Sequence, residues 1–217
     1  MEKVQYNIEV KKSKTSSYTI RKRVFDVCVG LLLLILLIPL LFIFSTVLLV
    51  FSGRPIFLKQ IRTGQNNKPF TIWKFRTMES SGNQEAIHVY DWSEGVPDDF
   101  LFKTPSNQRI TRIGKIYRKL SIDELPQLIN VIRGEMSFVG PRPEIPEITL
   151  RYNRFQSKRL QAKPGITGFA QINGRSIITH GKKIEYDHYY IDKQTFMFDM
   201  EIIIKTIGLV IRGKGAC

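Results

Sequence analysis

The chain has 217 residues, 33 Lys or Arg against 19 Asp or Glu, and a net charge of +14, which suits one domain of moderate size with membrane contact added. Its two cysteines, Cys28 and Cys217, lack CxxC spacing and argue against a disulfide framework, and His88, His180 and His188 do not pair at zinc-ligand spacing. The basic balance suits an anionic membrane surface or phosphate-bearing substrates; nucleic acid is set aside because no binding motif is legible and the chain carries a long apolar run.

Residues 1–20 read as a polar lead. Residues 21–53 read as a membrane anchor, because Val27 to Phe51 carries no charge and would reach roughly 37 Å as one helix, enough to cross a bilayer. Pro39 divides that run into halves of roughly 18–20 Å, each too short for the hydrocarbon core. Arg21, Lys22 and Arg23 precede it, and Arg54 and Lys59 follow. Basic flanks stay on the cytoplasmic side, so both ends are asked to lie on one face. A helix that enters, breaks at Pro39 and returns satisfies that demand; a spanning anchor is the alternative, since spanning helices tolerate proline. A cleaved secretory signal does not fit a run that starts at residue 27 and ends without an A-x-A pattern.

Residues 55–77 predict a hairpin, with PIFLKQIR and PFTIWKFRT as strands around the turn GQNNK. Residues 79–108 are irregular and acidic and read as an excursion or lid, in which Asp98-Asp99 is either a metal-binding pair or solvated loop. Leu125, Leu128, Ile129 and Ile132 recur at i, i+3, i+4 and i+7 and predict an amphipathic helix ending near Gly134. Residues 146–162 read as a strongly basic helix, with Arg151, Arg154, Lys158 and Arg159. KPGITGFAQINGR reads as loop with a short strand, and the tail FMFDMEIIIKTIGLVIRGKG as a core or interfacial helix.

Asp123-Glu124 stands where the amphipathic helix is predicted to begin. A helix N-terminus favours carboxylates and binds phosphates. Two readings are open from the residues alone. Ser121-Ile122-Asp123-Glu124 spells a capping box, although Pro126 disturbs it. Alternatively the pair does chemistry, for Arg118, the stiff Gly140-Pro141-Arg142-Pro143 turn, the Asn173-Gly174-Arg175 turn and the Lys163–Gly168 loop all offer phosphate-binding groups. Together with a membrane segment, they suggest a diphosphate substrate handled at a membrane.

The blocks KRVFDVCVGLLLLILLIPLL, KFRTM at Lys74–Met78, LSIDELPQLINVIRGEMSFVGPRPE at Leu120–Glu144 and KPGITGFAQINGR at Lys163–Arg175 resemble the bacterial sugar transferase family, the small monotopic phosphoglycosyl transferases, from about Arg21 to Ile211. The resemblance implies transfer of a phosphosugar from a UDP-sugar to polyprenyl phosphate, usually undecaprenyl phosphate, with release of UMP, at the start of glycoconjugate or exopolysaccharide assembly. It implies Asp123 as the nucleophile of a covalent two-step route, Glu124 as its assistant, and Mg²⁺ as a cofactor held by Asp123 and Glu124. Lys74, Arg118, Arg142 and Arg175 fall on phosphate-binding or motif positions. The implied fold is α+β and mainly helical, with a re-entrant, proline-broken membrane helix, a short β-hairpin, and a compact catalytic domain over 54–217 with interfacial amphipathic helices. The implied location is the cytoplasmic face of the bacterial inner membrane. UDP-sugar, polyprenyl phosphate and the bilayer are the expected partners, with a homo-oligomer and downstream glycosyltransferases as further candidates and nucleic acid as none. Members often carry serine before the proline of the anchor, where this chain has Ile38. About 20 residues precede the anchor, which resembles the minimal form of the family. Two other classes compete: a non-catalytic membrane adaptor, and a UDP-sugar hydrolase that needs no lipid acceptor.

Overall fold

A computed structural model of the chain describes residues 16–79, 92–101, 110–174 and 177–212. Arg175, most of the acidic excursion and most of the polar lead lie outside the described residues. The fold is α+β and mainly helical.

Helix α1, Ser16–Ser52, holds the whole apolar run. It is long and apolar enough to cross a bilayer, and most of its apolar side chains lie outside the folded core, which fits membrane association. The predicted break is corrected in one respect: helical backbone continues through Pro39, so the two halves are not separate helices. Proline removes one N–H from the ladder and crowds the carbonyl four residues back, here that of Ile35. Both halves nonetheless rest on the same domain. Arg23 donates to the carbonyls of Val131 and Ile132 at 2.7 Å each, Asp26 accepts from the Phe138 N–H at 3.1 Å, and Lys22 pairs with Asp199 at 2.6 Å. Beyond the proline, Leu48 is buried with Phe75 and Tyr117, and the Phe44 carbonyl accepts from the Tyr117 hydroxyl at 2.9 Å. Residues 31–40 between these anchorages are exposed or half-buried.

The predicted hairpin forms. Strands β1, Phe57–Thr63, and β2, Pro69–Phe75, pair antiparallel with Lys59 opposite Trp73 and Leu58 opposite Lys74. The turn between them uses Asn66 and Asn67 at φ of 54° and 61°, the left-handed region that asparagine tolerates better than most residues. Alternation along β2 sends Phe70, Ile72 and Lys74 to the inner face and Trp73 and Phe75 to the outer one. Accordingly Phe70 and Ile72 pack with Val131 and Met136, while Phe75 packs with Leu48 and Tyr117. The next residue, Arg76, donates to the carbonyls of Ser52, Gly53 and Arg54, tying the end of α1 to the hairpin.

Helix α2, Arg112–Lys119, is followed by a 3₁₀ turn, Ile122–Gln127, and helix α3, Leu128–Arg133, closed by Gly134 at φ 83°. The predicted helix is therefore shorter than its apolar spacing suggests. Pro126 lies inside the 3₁₀ turn, and regular α-helix starts two residues later. Strand β3, Ser137–Val139, pairs in parallel with β4, Gly165–Thr167. The basic helix predicted over 146–162 is broken into α4, Pro146–Thr149, α5, Arg154–Ser157, and a 3₁₀ turn, Lys158–Gln161. Its break comes at Asn153, whose side chain starts α5 with a capping box to Gln156. Helices α6, Phe169–Ile172, α7, His180–Lys193, and α8, Phe196–Ile211, complete the fold.

Of the four basic residues read on 146–162, Arg159 is not a surface residue at all. It is 1 % exposed and bonds Asp187 at 2.8 Å, the Tyr152 hydroxyl at 2.7 Å and the Arg142 carbonyl at 2.9 Å. Glu144 lies 3.7 Å from it and pairs with Lys183 at 2.9 Å. His180 is buried beside this network, with Tyr152 and Phe100 against its ring. Burial first, then the charges of Arg159 and Lys183, push its pKa down from 6.5 to about 3, with Glu144 opposing. The unfolded chain binds a proton below pH 6.5 that folded His180 refuses until about pH 3, so this stability is complete above 6.5 and drains away as pH falls. Lowering the pH from 7.5 to 5 is expected to cost wild-type protein about 2 kcal/mol more than His180→Gln. Thermal unfolding at both pH values reads this; equal acid losses in the two proteins would contradict it.

Candidate active site

Asp123 and Glu124 sit in the 3₁₀ turn beneath the inner face of the hairpin. The capping box does not form. Ser121 adopts φ 56°, makes no side-chain cap, and only its carbonyl meets the Glu124 N–H, at 3.2 Å. A serine in the left-handed region two residues before the dyad is local strain held by its surroundings. The Glu124 carboxylate turns instead to cations. Its Oε1 accepts from Lys74 Nζ at 2.9 Å and from Arg142 Nη2 at 3.1 Å. Burial would raise its pKa, but Lys74 and Arg142 outweigh burial and hold it well below the ordinary carboxylate range.

Asp123 has the opposite environment. It is 9 % exposed, and its Oδ1 is buried with no hydrogen-bond partner. Burial first, and then the neighbouring Glu124 charge, push its pKa up to about 6, against the pull of Lys74, Arg142 and Arg118. Buried polar oxygens normally have partners, so this orphan in a cationic setting makes Asp123 a candidate for binding or chemistry. Arg118, in the last turn of α2, makes no ion pair among the described residues, yet its charge is felt at Asp123. Arg142 keeps 42 % of its side chain exposed, so only part of its guanidinium is spent on Glu124.

The loop carrying Arg142 is held at every carbonyl from Pro141 to Glu144. Gly140 N–H donates to the Thr167 carbonyl at 2.9 Å, and the Pro141 carbonyl accepts from Gly165 at 2.9 Å. Arg159 takes the Arg142 carbonyl, Arg62 the Pro143 carbonyl at 3.4 Å, and the Thr63 N–H the Glu144 carbonyl at 2.9 Å. Close approach explains the glycines here. A Cβ on Gly140 would lie 2.1 Å from the Lys163 carbonyl oxygen, and one on Gly168 would lie 2.1 Å from that of Gly140. The Lys163–Gly168 loop thus lies directly on the Arg142 loop.

The geometry brings together Lys74, Asp123, Glu124 and Arg142, with Arg118 close enough to act by charge. Pro39 belongs to the anchor, away from them. Asp98 and Asp99 are exposed, and among the described residues no group of three His, Cys, Asp or Glu could hold a metal. Sequence reasoning missed Arg159 and Glu144 as supports of the Arg142 loop; the acid after Arg142-Pro143 was the available signal.

The model of a family described as bacterial sugar transferase matches residues 17–213. The chain belongs to this family. The transferase is 40 % identical over 196 residues to the sugar transferase EpsL of Bacillus subtilis, covering 90 % of each chain. It is 35 % identical over 199 residues to the exopolysaccharide production protein ExoY of Sinorhizobium fredii, covering 91 % of this chain and 88 % of that one. Against the UDP-glucose:undecaprenyl-phosphate glucose-1-phosphate transferase of Klebsiella pneumoniae it is 36 % identical over 194 residues, covering 86 % of this chain and 39 % of that protein. The expected enzyme class, a phosphoglycosyl transferase, stands on these matches.

Proposed function

We propose that the transferase moves a sugar phosphate from a UDP-sugar onto a polyprenyl phosphate, with Asp123 as the attacking group. The observation that carries this reading is the buried, unpartnered Oδ1 of Asp123 beside a carboxylate that holds two cations in place. The donor and acceptor follow the Klebsiella relative, whose name contains both. In the first step an Asp123 oxygen bonds to the sugar-bearing phosphorus, and the bridging P–O bond breaks. UMP leaves with the bonding electron pair, and the phosphosugar stays as an acyl phosphate on Asp123. In the second step an oxygen of polyprenyl phosphate bonds to the same phosphorus, and the aspartyl oxygen leaves as carboxylate. The product is a polyprenyl diphosphate sugar, and no net proton is needed.

An anion attacks an anion here, so cations decide the barrier. Lys74, Arg142 and Arg118 supply fixed positive charge on the diphosphate side, and Arg175 is assigned to the same task from its position in the sequence. Glu124 orients Lys74 and Arg142 rather than capping the helix. Mg²⁺ asks a protein for one or two carboxylates and takes its remaining oxygens from substrate and water. The unpartnered Asp123 oxygen, with the Glu124 oxygen that receives neither cation, fits that demand. When bound there, Mg²⁺ supplies charge neutralisation on the diphosphate. EDTA is expected to abolish turnover and Mg²⁺ to restore it; full activity in EDTA removes the metal from the reading.

UMP release in nanodiscs tests the reaction itself. Without polyprenyl phosphate, release stops after one equivalent per enzyme, and acceptor restores steady turnover. Continued release without acceptor identifies a hydrolase instead.

The proposed seat is monotopic, on the cytoplasmic face of the inner membrane. A helix that crossed the bilayer would carry one end away from the domain, whereas Lys22 to Gly30 and Leu41 to Leu48 both pack on it. Tags at both termini are expected to be reachable from the cytoplasm only; a periplasmic N-terminus refutes this topology.

A further inference from the structure

The outer face of the hairpin carries a cleft of about 430 Å³ that the reaction does not use. Leu49 from the end of α1, Pro55, Ile56, Phe57 and Trp73 form its wall, and Arg54 and Lys59 complete the lining. It is an open groove rather than an enclosed cavity. Strand alternation separates it from the dyad, because Lys59, Trp73 and Phe57 share the face opposite Lys74. Two observations point to one kind of occupant. The cleft is continuous with the apolar surface of α1, where Val50 and Phe51 are 70 % and 71 % exposed just beyond Leu49. Arg54 and Lys59 have no carboxylate partner among the described residues, although Lys59 lies 4.4 Å from the centre of the Trp73 ring.

We infer that this cleft binds an anionic phospholipid of the bilayer, with a hydrocarbon chain along Leu49, Ile56, Phe57 and Trp73 and the lipid phosphate at Arg54 and Lys59. An apolar wall with two unpaired cations beside it matches a chain that ends in a phosphate. The site rests on α1 lying in the membrane and not on the chemistry of Asp123. It would seat the hairpin at the headgroup level, one residue along the strand from Lys74.

Trp73 reports on its own site. The chain has two tryptophans, and Trp92→Phe leaves Trp73 alone. The full-length Trp92→Phe protein is placed in phosphatidylcholine nanodiscs containing either phosphatidylglycerol or phosphatidylcholine with brominated acyl chains. Brominated phosphatidylglycerol is expected to quench Trp73 at roughly thirtyfold lower mole fraction than brominated phosphatidylcholine, the scale set by two cations at an anionic lipid. Adding Arg54→Gln and Lys59→Gln should bring the two lipids level, with UMP release in phosphatidylcholine nanodiscs as the check on folding. Equal quenching in the parent, or a preference that survives the double change, overturns the proposal. So does relief of quenching by millimolar inorganic phosphate, which assigns the site to a free anion. Relief by equimolar polyprenyl phosphate overturns it too, by assigning the cleft to the acceptor.

Discussion

Asp123→Asn is expected to lower sugar-phosphate transfer by about 10⁴-fold or more, the scale of losing a covalent nucleophile. The side chain keeps its size and loses its charge and the oxygen proposed to attack. Its buried Oδ1 has no hydrogen bond to lose, so the variant should fold and fractionate with membranes as wild type does. The measurement is UMP release with a UDP-sugar panel, in nanodiscs, with and without polyprenyl phosphate. Loss of the single-equivalent burst together with steady turnover supports the covalent route. Near wild-type turnover ends the assignment of Asp123. Glu124→Gln should behave differently. It keeps an acceptor oxygen for Lys74 and Arg142 but removes the charge that draws both, so a partial loss of roughly 10²-fold is expected.

Arg159→Met is expected to destabilise the domain by about 3–5 kcal/mol, the usual cost of removing one partner from a buried charge group. Arg159 and Asp187 are each 1 % exposed, and Glu144 is buried beside them. Methionine would leave Asp187 without its partner, since Lys183 pairs with Glu144 rather than with Asp187. It would also free the Arg142 carbonyl. A domain of this size loses roughly 2–4 °C of thermal midpoint per kcal/mol, so a fall of about 10 °C is expected. Thermal unfolding of solubilised protein reads it. A shift under about 2 °C would show the network to be dispensable. Arg159→Lys should recover part of the charge but not the three-way bonding, because an ammonium cannot reproduce the guanidinium fork.

Elements with a strong local signal were legible. The uncharged run, the β-rich strands around Gly64–Lys68 and the Gly134 stop each depend on neighbours in the chain, and each appears. Elements whose outcome depends on distant groups were not. Glu124 has the spacing of a capping residue, and only Lys74 and Arg142, brought in from the hairpin and from the loop after β3, turn it away. Arg159 has the composition of a surface helix, and only the packing of α7 buries it against Asp187. The triplet Lys74-Phe75-Arg76 shows the division within three residues. Pairing in the strand sends them to the dyad, the core and the carbonyls at the end of α1 respectively.

By itself the amino-acid sequence determined the family, the apolar helix, the hairpin and the identity of the carboxylate pair, because these rest on residue types and short spacings. Tertiary structure alone decided which carboxylate is engaged and which is free. That outcome is electrostatic: two adjacent acids of similar intrinsic pKa are driven apart when one meets two cations and the other is buried without a partner. It also decided that both halves of a continuous α1 rest on one domain, since contacts between residues far apart in the chain are set by packing and not by local pattern.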